Sequence, residues 1–472
     1  MNRTSYNVHI WQIKARKNAK GKTTSYRVRW RVDAQEHHAP FKNKAHADSF
    51  RSELITAANK GEAFLVAPPG LPLSKAQATS NMSWYDFARA FVDMKWSNLS
   101  GSSRRGISEA LITVTPALLS STRGMPSEQT IRKALHGWAF NRAYREEADA
   151  PEDVQYALEW LSENTLPVSD LAAPEKVREV LHLISHRLDG KPAAASVSRR
   201  KRAILYNALD YAVERKLIDK NPLLEVKWSS PRTARAIDKR VVVNPQQATK
   251  LLDAVREQQP SGPRLVALFG AMYYAALRPG EAVNLRGRDV QLPALEWDDE
   301  RQDWVEPVNA WGEFLLSKSA PETGARWSDT RKRRDEREQL KHRPRGETRP
   351  VPCPPPLTKL LRDHMRHYPS PPDEPLFQGI YTKYVSGSHC AHVWRKAREK
   401  VLGDEAATSP LAKRPYDLRH AAVSTWLNSG VPATQVAEWA GHSVAVLLQV
   451  YAKCLAGQEE TARKRIEQAL DE

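Results

Sequence analysis

Cysteine is scarce in this chain, with three residues among 472. They stand far apart, at Cys353, Cys390 and Cys454, which excludes a disulfide framework and a paired CxxC metal site. His389 and His392 flank Cys390 closely, but their spacing does not put the three on one helical face, and no second ligand pair is evident. The sequence therefore predicts a protein of a reducing compartment, without a metal site.

Long apolar runs are also missing. No stretch of the sequence approaches the roughly 20 apolar residues that a membrane-spanning helix needs. The segment from Met1 to Tyr6 has one positive charge but no apolar run after it, which argues against a secretory signal. We expect a cytoplasmic protein without a membrane span.

Positive charge is abundant instead. The chain has 72 Lys and Arg against 55 Asp and Glu, a formal net charge of +17. Such an excess indicates an anionic partner, either nucleic acid or a membrane surface, although it also fits a charge that only keeps the protein soluble. A chain of 472 residues exceeds what one hydrophobic core usually organises, so we expect several domains.

Nearly half of the excess charge lies at the N-terminus, because residues 1–62 contain 13 Lys and Arg but five Asp and Glu. Within this region the run from Ser25 to Val32 alternates strictly between two kinds of residue. The period of a β-strand places Arg27, Arg29 and Arg31 on one face and the apolar side chains on the other. One face is then free to contact phosphate groups, unless the arginines are only solvated.

The N-terminal region reads as a small separate domain. We predict partner strands at Val8–Ile13 and His37–Phe41, and a helix over 47–57 from its apolar spacing. A three-stranded sheet covered by a helix thus fills residues 1–65. The proline-rich and serine-rich residues 66–80 form a predicted linker.

Two larger domains are predicted after the linker. Residues 81–228 have helical periodicity without strand alternation, residues 229–240 form a polar hinge, and residues 241–472 form the third domain. The last helix of the helical domain opens with a basic cluster, and a helix start already favours phosphate. This cluster comprises Arg199, Arg200, Lys201 and Arg202.

Four features follow one another in the third domain. Arg278 stands where one helix ends and a proline-led helix begins, and Arg419 lies in the run Pro-Tyr-Asp-Leu-Arg-His. His442 follows a glycine, and Tyr451 comes nine residues after His442. In order, spacing and residue type, this set resembles the tyrosine-recombinase (phage integrase) family.

The chemistry of these residue types suits the resemblance. Guanidinium groups fork onto phosphate oxygens and remain charged at any relevant pH, so the resemblance assigns Arg278 and Arg419 to the scissile phosphate. Tyr451 matches the family's nucleophile, which forms a covalent 3'-phosphotyrosine and frees a 5'-hydroxyl. His442 matches the histidine-or-tryptophan position. The resemblance implies that no cofactor and no metal are used.

Two positions need separate treatment. The family's second box usually begins with histidine, whereas this chain has Tyr416, a phenol that donates a hydrogen bond but does not titrate near neutrality. His420 is either a supporting or a purely structural residue. The family also uses a lysine on a turn between two strands to protonate the leaving oxygen. Lys341 is the preferred match, and Lys318, which also ends a strand-like run, is the alternative.

The resemblance implies a multidomain, mainly α fold with small β elements: an arm-type module, a helical core-binding domain and a mostly helical catalytic domain of the tyrosine-recombinase type. It implies an integrase of a phage or other mobile element. Such an enzyme acts as a homotetramer on double-stranded DNA with core and arm-type attachment sites, helped by a host DNA-bending protein or an excision factor. A degenerate recombinase that only binds DNA and a topoisomerase are the competing hypotheses.

Overall fold

The computed structural model describes residues 3–17, 23–74, 82–147, 149–229, 236–334, 336, 340–341, 343–344, 346–451, 463, 466–467 and 470. The chain separates into two compact units, Met1–Arg232 and Thr233–Glu472. Both units are mainly helical with small sheets, which confirms the predicted fold class at this level. Among the described residues, no helix has the length and apolar character needed to cross a membrane.

Helices form most of the regular structure. In the first unit they are α1 (Lys44–Asn59), α2 (Trp84–Trp96), α3 (Gly101–Val114), α4 (Glu128–Ala134), α5 (Arg142–Glu147), α6 (Glu152–Glu163), α7 (Pro174–Ser185) and α8 (Ala195–Glu214). In the second unit they are α9 (Pro245–Arg256), α10 (Gly262–Tyr274), α11 (Pro279–Asn284), α12 (Pro355–His367), α13 (Gly387–Leu402), α14 (Asp417–Asn428), α15 (Ala433–Ala440) and α16 (Val444–Tyr451).

The strands are short, except for one near the N-terminus. The first unit contains β1 (Thr4–Ser5), β2 (Val8–Ile10), β3 (Lys14–Lys17), β4 (Thr23–Val32), β5 (Gln35–Phe41) and β6 (Phe64–Leu65). The second unit contains β7 (Val290–Gln291), β8 (Glu296–Asp298), β9 (Asp303–Val305), β10 (Gly312–Leu316) and β11 (Arg349–Cys353).

The main N-terminal sheet has four strands where three were predicted. β4 is ten residues long, so one of its edges pairs with both β2 and β3 while the other pairs with β5. The predicted partner strand at Val8–Ile13 ends after Ile10, and the chain rejoins the same edge at Lys14. A separate ladder joins β1 to β6.

The two faces of β4 divide as the alternation predicts. Val28, Trp30 and Val32 are buried and pack with residues of α1 such as Leu54. The arginines between them point away from this core. The apolar face therefore supplies the burial that stabilises the module, at about 25 cal/mol per Å² of apolar surface.

The module continues beyond residue 65. The indole Nε1 of Trp30 donates to the carbonyl of Gly70 at 2.6 Å, and the amide of Leu73 donates to the carbonyl of Ala63 at 2.9 Å. The start of the predicted 66–80 linker is thus attached to the module. Residues 75–80 of that linker lie outside the described residues, as do residues 230–235 of the predicted hinge.

The rest of the first unit is helical, as predicted. From residue 82 to residue 229 the described chain contains α2 to α8 and isolated β-bridges, but no extended strand. α8 buries Leu205, Ala208 and Leu209 along one face. The three-to-four spacing of these residues is what a helix needs to cover a core with a single side.

The second unit is built around a central helical core. α9 begins at Pro245, and the N-cap residue Asn244 forms a reciprocal capping box with Gln247. The hydrophobic α10 and α13 meet through Phe269 and Trp394. A three-stranded antiparallel sheet in the order β11-β10-β7 completes this core.

A second apolar cluster in this unit joins the last three helices. α14, α15 and α16 meet through residues such as Val423, Val436 and Leu447. α15 ends at Gly441, whose φ of +63° is the left-handed conformation that glycine adopts at a helix end. The same α15 contacts β11, so the chain around Gly441 lies beside the sheet.

Candidate active site

Arg278 occupies the N-cap position of α11 and faces its first turn. Its backbone amide donates to Oε2 of Glu281 at 2.9 Å, and its guanidinium donates to Oε1 of the same carboxylate at 2.7 Å. A second guanidinium nitrogen donates to the carbonyl of Gly441 at 2.5 Å. The side chain is 16% exposed, so the guanidinium is oriented while retaining access to solvent.

Glu281 is the anion that organises the site. Burial would raise the pKa of its carboxyl, but the charges of Arg349 and Arg278 outweigh that effect and lower the pKa to about 2. Glu281 therefore stays ionised at neutral pH. One carboxylate thus fixes two guanidinium groups, which the Coulomb repulsion between like charges would otherwise drive apart.

Arg349 is the second partner of Glu281 and was not predicted. Its side chain is fully buried and makes a bidentate ion pair with Glu281, at 3.0 and 2.7 Å. Its Nε has no hydrogen-bond partner among the described residues. The sequence offered a partial signal, because Arg349 opens a short strand-like run and Glu281 follows Arg278 by three residues.

Gly441 is needed for the close approach of these groups. A Cβ at this position would lie 2.3 Å from a guanidinium nitrogen of Arg349 and 3.0 Å from one of Arg278. Its positive φ of +63° also disfavours other residues. The glycine before His442 thus has a structural reason beyond ending a helix.

Arg419 lies on the first turn of α14 and is fully buried. Its guanidinium donates to the carbonyls of Ala276 and Ala440 and to Nε2 of His442, the last at 2.9 Å. Burial, followed by the charge of Arg278, lowers the pKa of Arg419 to about 10. The group therefore remains a cation at neutral pH.

His442 is a neutral imidazole with a defined tautomer. Burial, followed by the charges of Arg419 and Arg278, lowers the pKa of His442 to about 3. A guanidinium only donates hydrogen bonds, so Nε2 must accept and the ring proton must sit on Nδ1. Nδ1 is buried and has no partner among the described residues, which leaves a donor in the site.

Tyr451 ends α16 and is fully buried. Its Oη lies 2.9 Å from Nδ1 of His420, and its ring stacks loosely on His442 with centroids 6.3 Å apart. Burial, together with the charges of Arg414 and Arg419, lowers the pKa of His420 to about 4 against the opposing charge of Asp417. His420 is therefore neutral and able to accept a proton from the phenol.

Tyr416 caps α14 directly before Asp417. Its ring makes an edge contact with His420, with centroids 5.1 Å apart. The structure thus brings together five of the six predicted catalytic residues around one network of contacts, and it adds Glu281, Arg349 and His420. The five are Arg278, Tyr416, Arg419, His442 and Tyr451.

The sixth predicted residue, Lys341, is exposed, in the connection between β10 and β11. Lys318 lies in the same connection, half-buried, two residues after Leu316, which is paired with Arg349. The amide of Ala320 donates to the carbonyl of Gly280 at 2.9 Å. This bond ties the chain after Lys318 to the start of α11, next to Arg278.

The predicted DNA-binding arginines of β4 lie on its outer face. Arg27 and Arg31 are exposed. Arg29 is 39% exposed, pairs with Glu36 at 3.0 Å and lies over the ring of Trp11 at 4.9 Å. Two of the three guanidinium groups therefore face solvent, and the third is held against its own module.

The basic cluster of α8 is divided. Arg200 is 58% exposed and Arg199 is half-buried. Lys201 turns inward, where its Nζ donates to Thr113 at 2.8 Å and burial lowers its pKa. Arg202 lies over the ring of Trp228 at 5.2 Å. The helix periodicity explains this division, because four consecutive residues cannot all share one exposed face.

Metal ligands are not gathered in the described part of the chain, where no group of three or more His, Cys, Asp or Glu side chains could hold a metal ion. Three guanidinium groups, those of Arg278, Arg349 and Arg419, bring positive charge to the site. The arrangement can therefore bind an anion, orient it with several donors and present the phenol of Tyr451 beside a proton acceptor.

Comparisons with known proteins find structural matches only. No family model and no curated protein matches the chain. The Tn1549 transposon integrase in complex with circular intermediate DNA is 14% identical, with a TM-score of 0.46 over 72% of this chain and 98% of that one. XerH site-specific recombinase bound to difH is 14% identical, with a TM-score of 0.43 over 80% and 95%.

A lambda integrase dimer bound to a COC' core site is 11% identical, with a TM-score of 0.44 over 94% of this chain and 95% of that one. These matches are integrases and a site-specific recombinase, the class that the sequence motifs resemble. At these TM-scores the likeness carries no argument about function, which depends on the side chains of the site.

Proposed function

We propose that this protein is a site-specific DNA recombinase of the tyrosine type, which cuts and rejoins DNA through a covalent 3'-phosphotyrosine at Tyr451. The observation that carries the proposal is the contact network of the site. The buried Tyr451 contacts two neutral histidines, His420 and His442, and His442 accepts a hydrogen bond from Arg419. Two further guanidinium groups, those of Arg278 and Arg349, share the carboxylate of Glu281.

The charges of this network suit a phosphodiester. Arg278, Arg349 and Arg419 bring three positive charges, and Glu281 neutralises one of them. Two positive charges remain, which matches a phosphate whose negative charge grows from one toward two as the nucleophile attacks. Arg278, the most accessible of the three, is assigned to the non-bridging oxygens together with Arg419.

The unpartnered donors of the site support the same ligand. Nε of Arg349, Nε of Arg419 and Nδ1 of His442 are buried and have no partner among the described residues. A buried donor left without a partner costs about 1–3 kcal/mol. His442 is assigned to donate from Nδ1 to a phosphate oxygen, which would satisfy its proton.

The proton of the nucleophile is assigned to His420. Tyr451 Oη attacks phosphorus, its proton passes to Nδ1 of His420, and the 5'-oxygen of the next nucleotide leaves. The negative charge of the bound phosphate favours the imidazolium that forms, because an opposite charge nearby raises the pKa of a histidine. The leaving 5'-oxygen takes a proton from a lysine, for which Lys318 is the first candidate.

An integrating role is the finer part of the proposal. The exposed Arg27 and Arg31 lie on a module with its own core, which suits a second DNA site apart from the cleavage site. The solved structures that match are complexes with DNA, including a lambda integrase tetramer on a Holliday junction. We propose the same kind of partner here, double-stranded DNA bound by a homotetramer that integrates a mobile element.

The test is a trapping experiment with Tyr451→Phe. Duplexes from the DNA flanking the gene, nicked at many positions, let the freed end diffuse away and so retain the covalent adduct. Wild-type protein should accumulate on this DNA in a form that resists denaturing detergent, with or without a chelator, because guanidinium groups neutralise the phosphate. Tyr451→Phe removes one oxygen, and it should bind the DNA but form no adduct.

The matched control is Tyr416→Phe, which removes the same atom from the neighbouring phenol and should keep adduct formation. Mass spectrometry of the adduct should find the nucleotide on Tyr451. An adduct that persists in Tyr451→Phe, or that maps to Tyr416, would contradict the proposed nucleophile.

A further inference from the structure

A two-stranded hairpin stands apart from the sheet of the second unit. β8 and β9 pair with each other in a sheet of their own, between β7 and β10 in the chain. Trp297 and Trp304 face each other across the hairpin, with ring centroids 5.6 Å apart. We refer to Glu296–Trp311 as the tryptophan hairpin.

The tryptophan hairpin exposes large apolar side chains. Trp297 is 47% exposed and Trp304 58%, and farther along the segment Val308 is 90% and Trp311 61% exposed. The ring pair explains why the two strand tryptophans favour a hairpin. It does not explain the exposure of Val308 and Trp311, which lie beyond the paired strands. Clustered exposed tryptophans are typical of protein-binding surfaces.

The charge of the tryptophan hairpin is opposite to that of the chain. The segment has six acidic residues and one basic residue, Arg301, which gives −5 in a chain of +17. DNA would repel such a segment, because its phosphates carry the same sign. A basic protein surface would attract it and would also cover the tryptophans.

The hairpin is held at its base. Nε of Arg362, on α12, donates to Oε1 of Glu306 at 2.9 Å, and another nitrogen of the same guanidinium donates to the carbonyl of Pro293 at 2.7 Å. Below this clamp, β7 and β10 pair directly. The tryptophans are therefore presented from a fixed base, which lowers the entropy lost when a partner binds.

We propose that the tryptophan hairpin is a docking surface for a second copy of this chain, bound through a basic surface of that copy. A copy of the chain is the occupant that the charges favour, since its net charge of +17 complements the acidic segment. In a pair joined through two different patches, one copy keeps an unused hairpin and the other an unused basic surface, so further copies can add until a ring closes. The inference does not depend on the chemistry of Tyr451.

The test is site-specific cross-linking with the full chain. Trp304 is replaced by photoreactive benzoylphenylalanine, and this protein is mixed with wild-type chain labelled with heavy nitrogen, with and without a duplex of random sequence. Cross-linked peptides should join the hairpin to a basic segment of the labelled copy. The control places the same photoreactive residue at Tyr156, which is 52% exposed and should cross-link to the labelled copy far less.

Any other pattern overturns the proposal. Cross-links to the duplex would make the hairpin a DNA contact, and cross-links within one chain would make it a cover for its own protein. If the hairpin binds a different protein, the two copies would not be cross-linked to each other, and this result would also contradict the proposal.

Sedimentation velocity gives a second measurement that keeps the tryptophans. Glu296→Gln, Asp298→Asn and Asp303→Asn together remove three charges from the hairpin and leave its apolar side chains in place. They should raise the dissociation constant of self-association about 10-fold, and wild-type association should weaken near 1 M salt, where the Debye length is about 3 Å. Association that resists both changes would overturn the charge complementarity on which the proposal stands.

Discussion

The phenol oxygen of Tyr451 lies 2.9 Å from Nδ1 of His420, the residue that directly follows Arg419. Tyr416, at the position where the resemblance expects a histidine, contacts the other side of this pair through the ring of His420. The chain thus has an imidazole beside the proposed nucleophile although the expected position holds a phenol. His420 is therefore the residue to test for proton transfer.

We expect His420→Ala to slow covalent adduct formation about 10²–10⁴-fold, the usual contribution of a positioned acid or base. Tyr416→Phe keeps the ring contact with His420 and should change the rate less than about 10-fold. DNA affinity, measured with the same duplex, should be unchanged in both variants. If Tyr416→Phe were the slower enzyme, the proton would pass through the phenol of Tyr416.

Lys318 and Lys341 are the two candidates for protonating the leaving oxygen in the proposed reaction. The β-ladder and the bond from Ala320 to Gly280 connect the chain around Lys318 to Arg278 and Arg349, whereas Lys341 is exposed. We expect Lys318→Ala to slow cleavage, and a 5'-thio leaving group, which needs no proton, to restore the rate. Lys341→Ala should remain near the wild-type rate. If Lys341→Ala slowed cleavage and Lys318→Ala did not, Lys341 would be the proton donor.

Removal of the N-terminal module should affect integration more than adduct formation. Its contacts extend to Leu73, so a chain that starts at residue 75 loses the module without cutting through it. This variant should still form the adduct at its cleavage site but should integrate DNA far more slowly, because the arginine face of β4 is gone. A matched full-length variant, Arg27→Ala with Arg31→Ala, should share the defect. Integration by the truncated chain at the wild-type rate would remove the second DNA site from the proposal.

Much of the fold follows from local patterns. Alternation in β4 predicts which side chains are buried, and the Asn244-Pro245 signal predicts where α9 begins. Both are properties of a few consecutive residues, governed by the strand period and by the unpaired amides of a helix start. The fourth strand of the N-terminal sheet was missed because it depends on how long an edge β4 offers to its neighbours.

The residues of the candidate site also fall into two groups, those that the sequence predicts and those that it does not. Arg278, Arg419, His442 and Tyr451 were predicted from their order, spacing and residue type, which resemble a known family. Arg349 was missed because its role depends on a buried ion pair with Glu281, 68 residues away.

His420 illustrates a related limit. Consecutive helical residues such as Arg419 and His420 point in different directions, and the two side chains bind different partners, His442 and Tyr451. Only the packing of α14 against α16 decides that the second partner is the proposed nucleophile. Local sequence patterns do not predict long-range packing of this kind.

Acid should destabilise the protein, because His420 binds a proton more readily in the unfolded chain than in the folded one. Burial is the main cause that lowers the pKa of His420 from 6.5 to about 4, so between these values the unfolded chain binds more protons than the folded one. The free energy of unfolding should therefore fall as the pH decreases below about 6.5 and stop falling from this cause below about 4. Between about pH 7 and pH 5 the loss of unfolding free energy is about 2 kcal/mol.

The variant His420→Gln tests this prediction, because glutamine cannot titrate and still offers an oxygen to Tyr451. Its unfolding free energy, measured by urea titration, should fall about 2 kcal/mol less than that of the wild type over this interval. His442, whose pKa is also lowered, is present in both proteins and cancels in the comparison. Equal losses in the two proteins would mean that folding does not lower the pKa of His420, which would contradict the buried environment described for this imidazole.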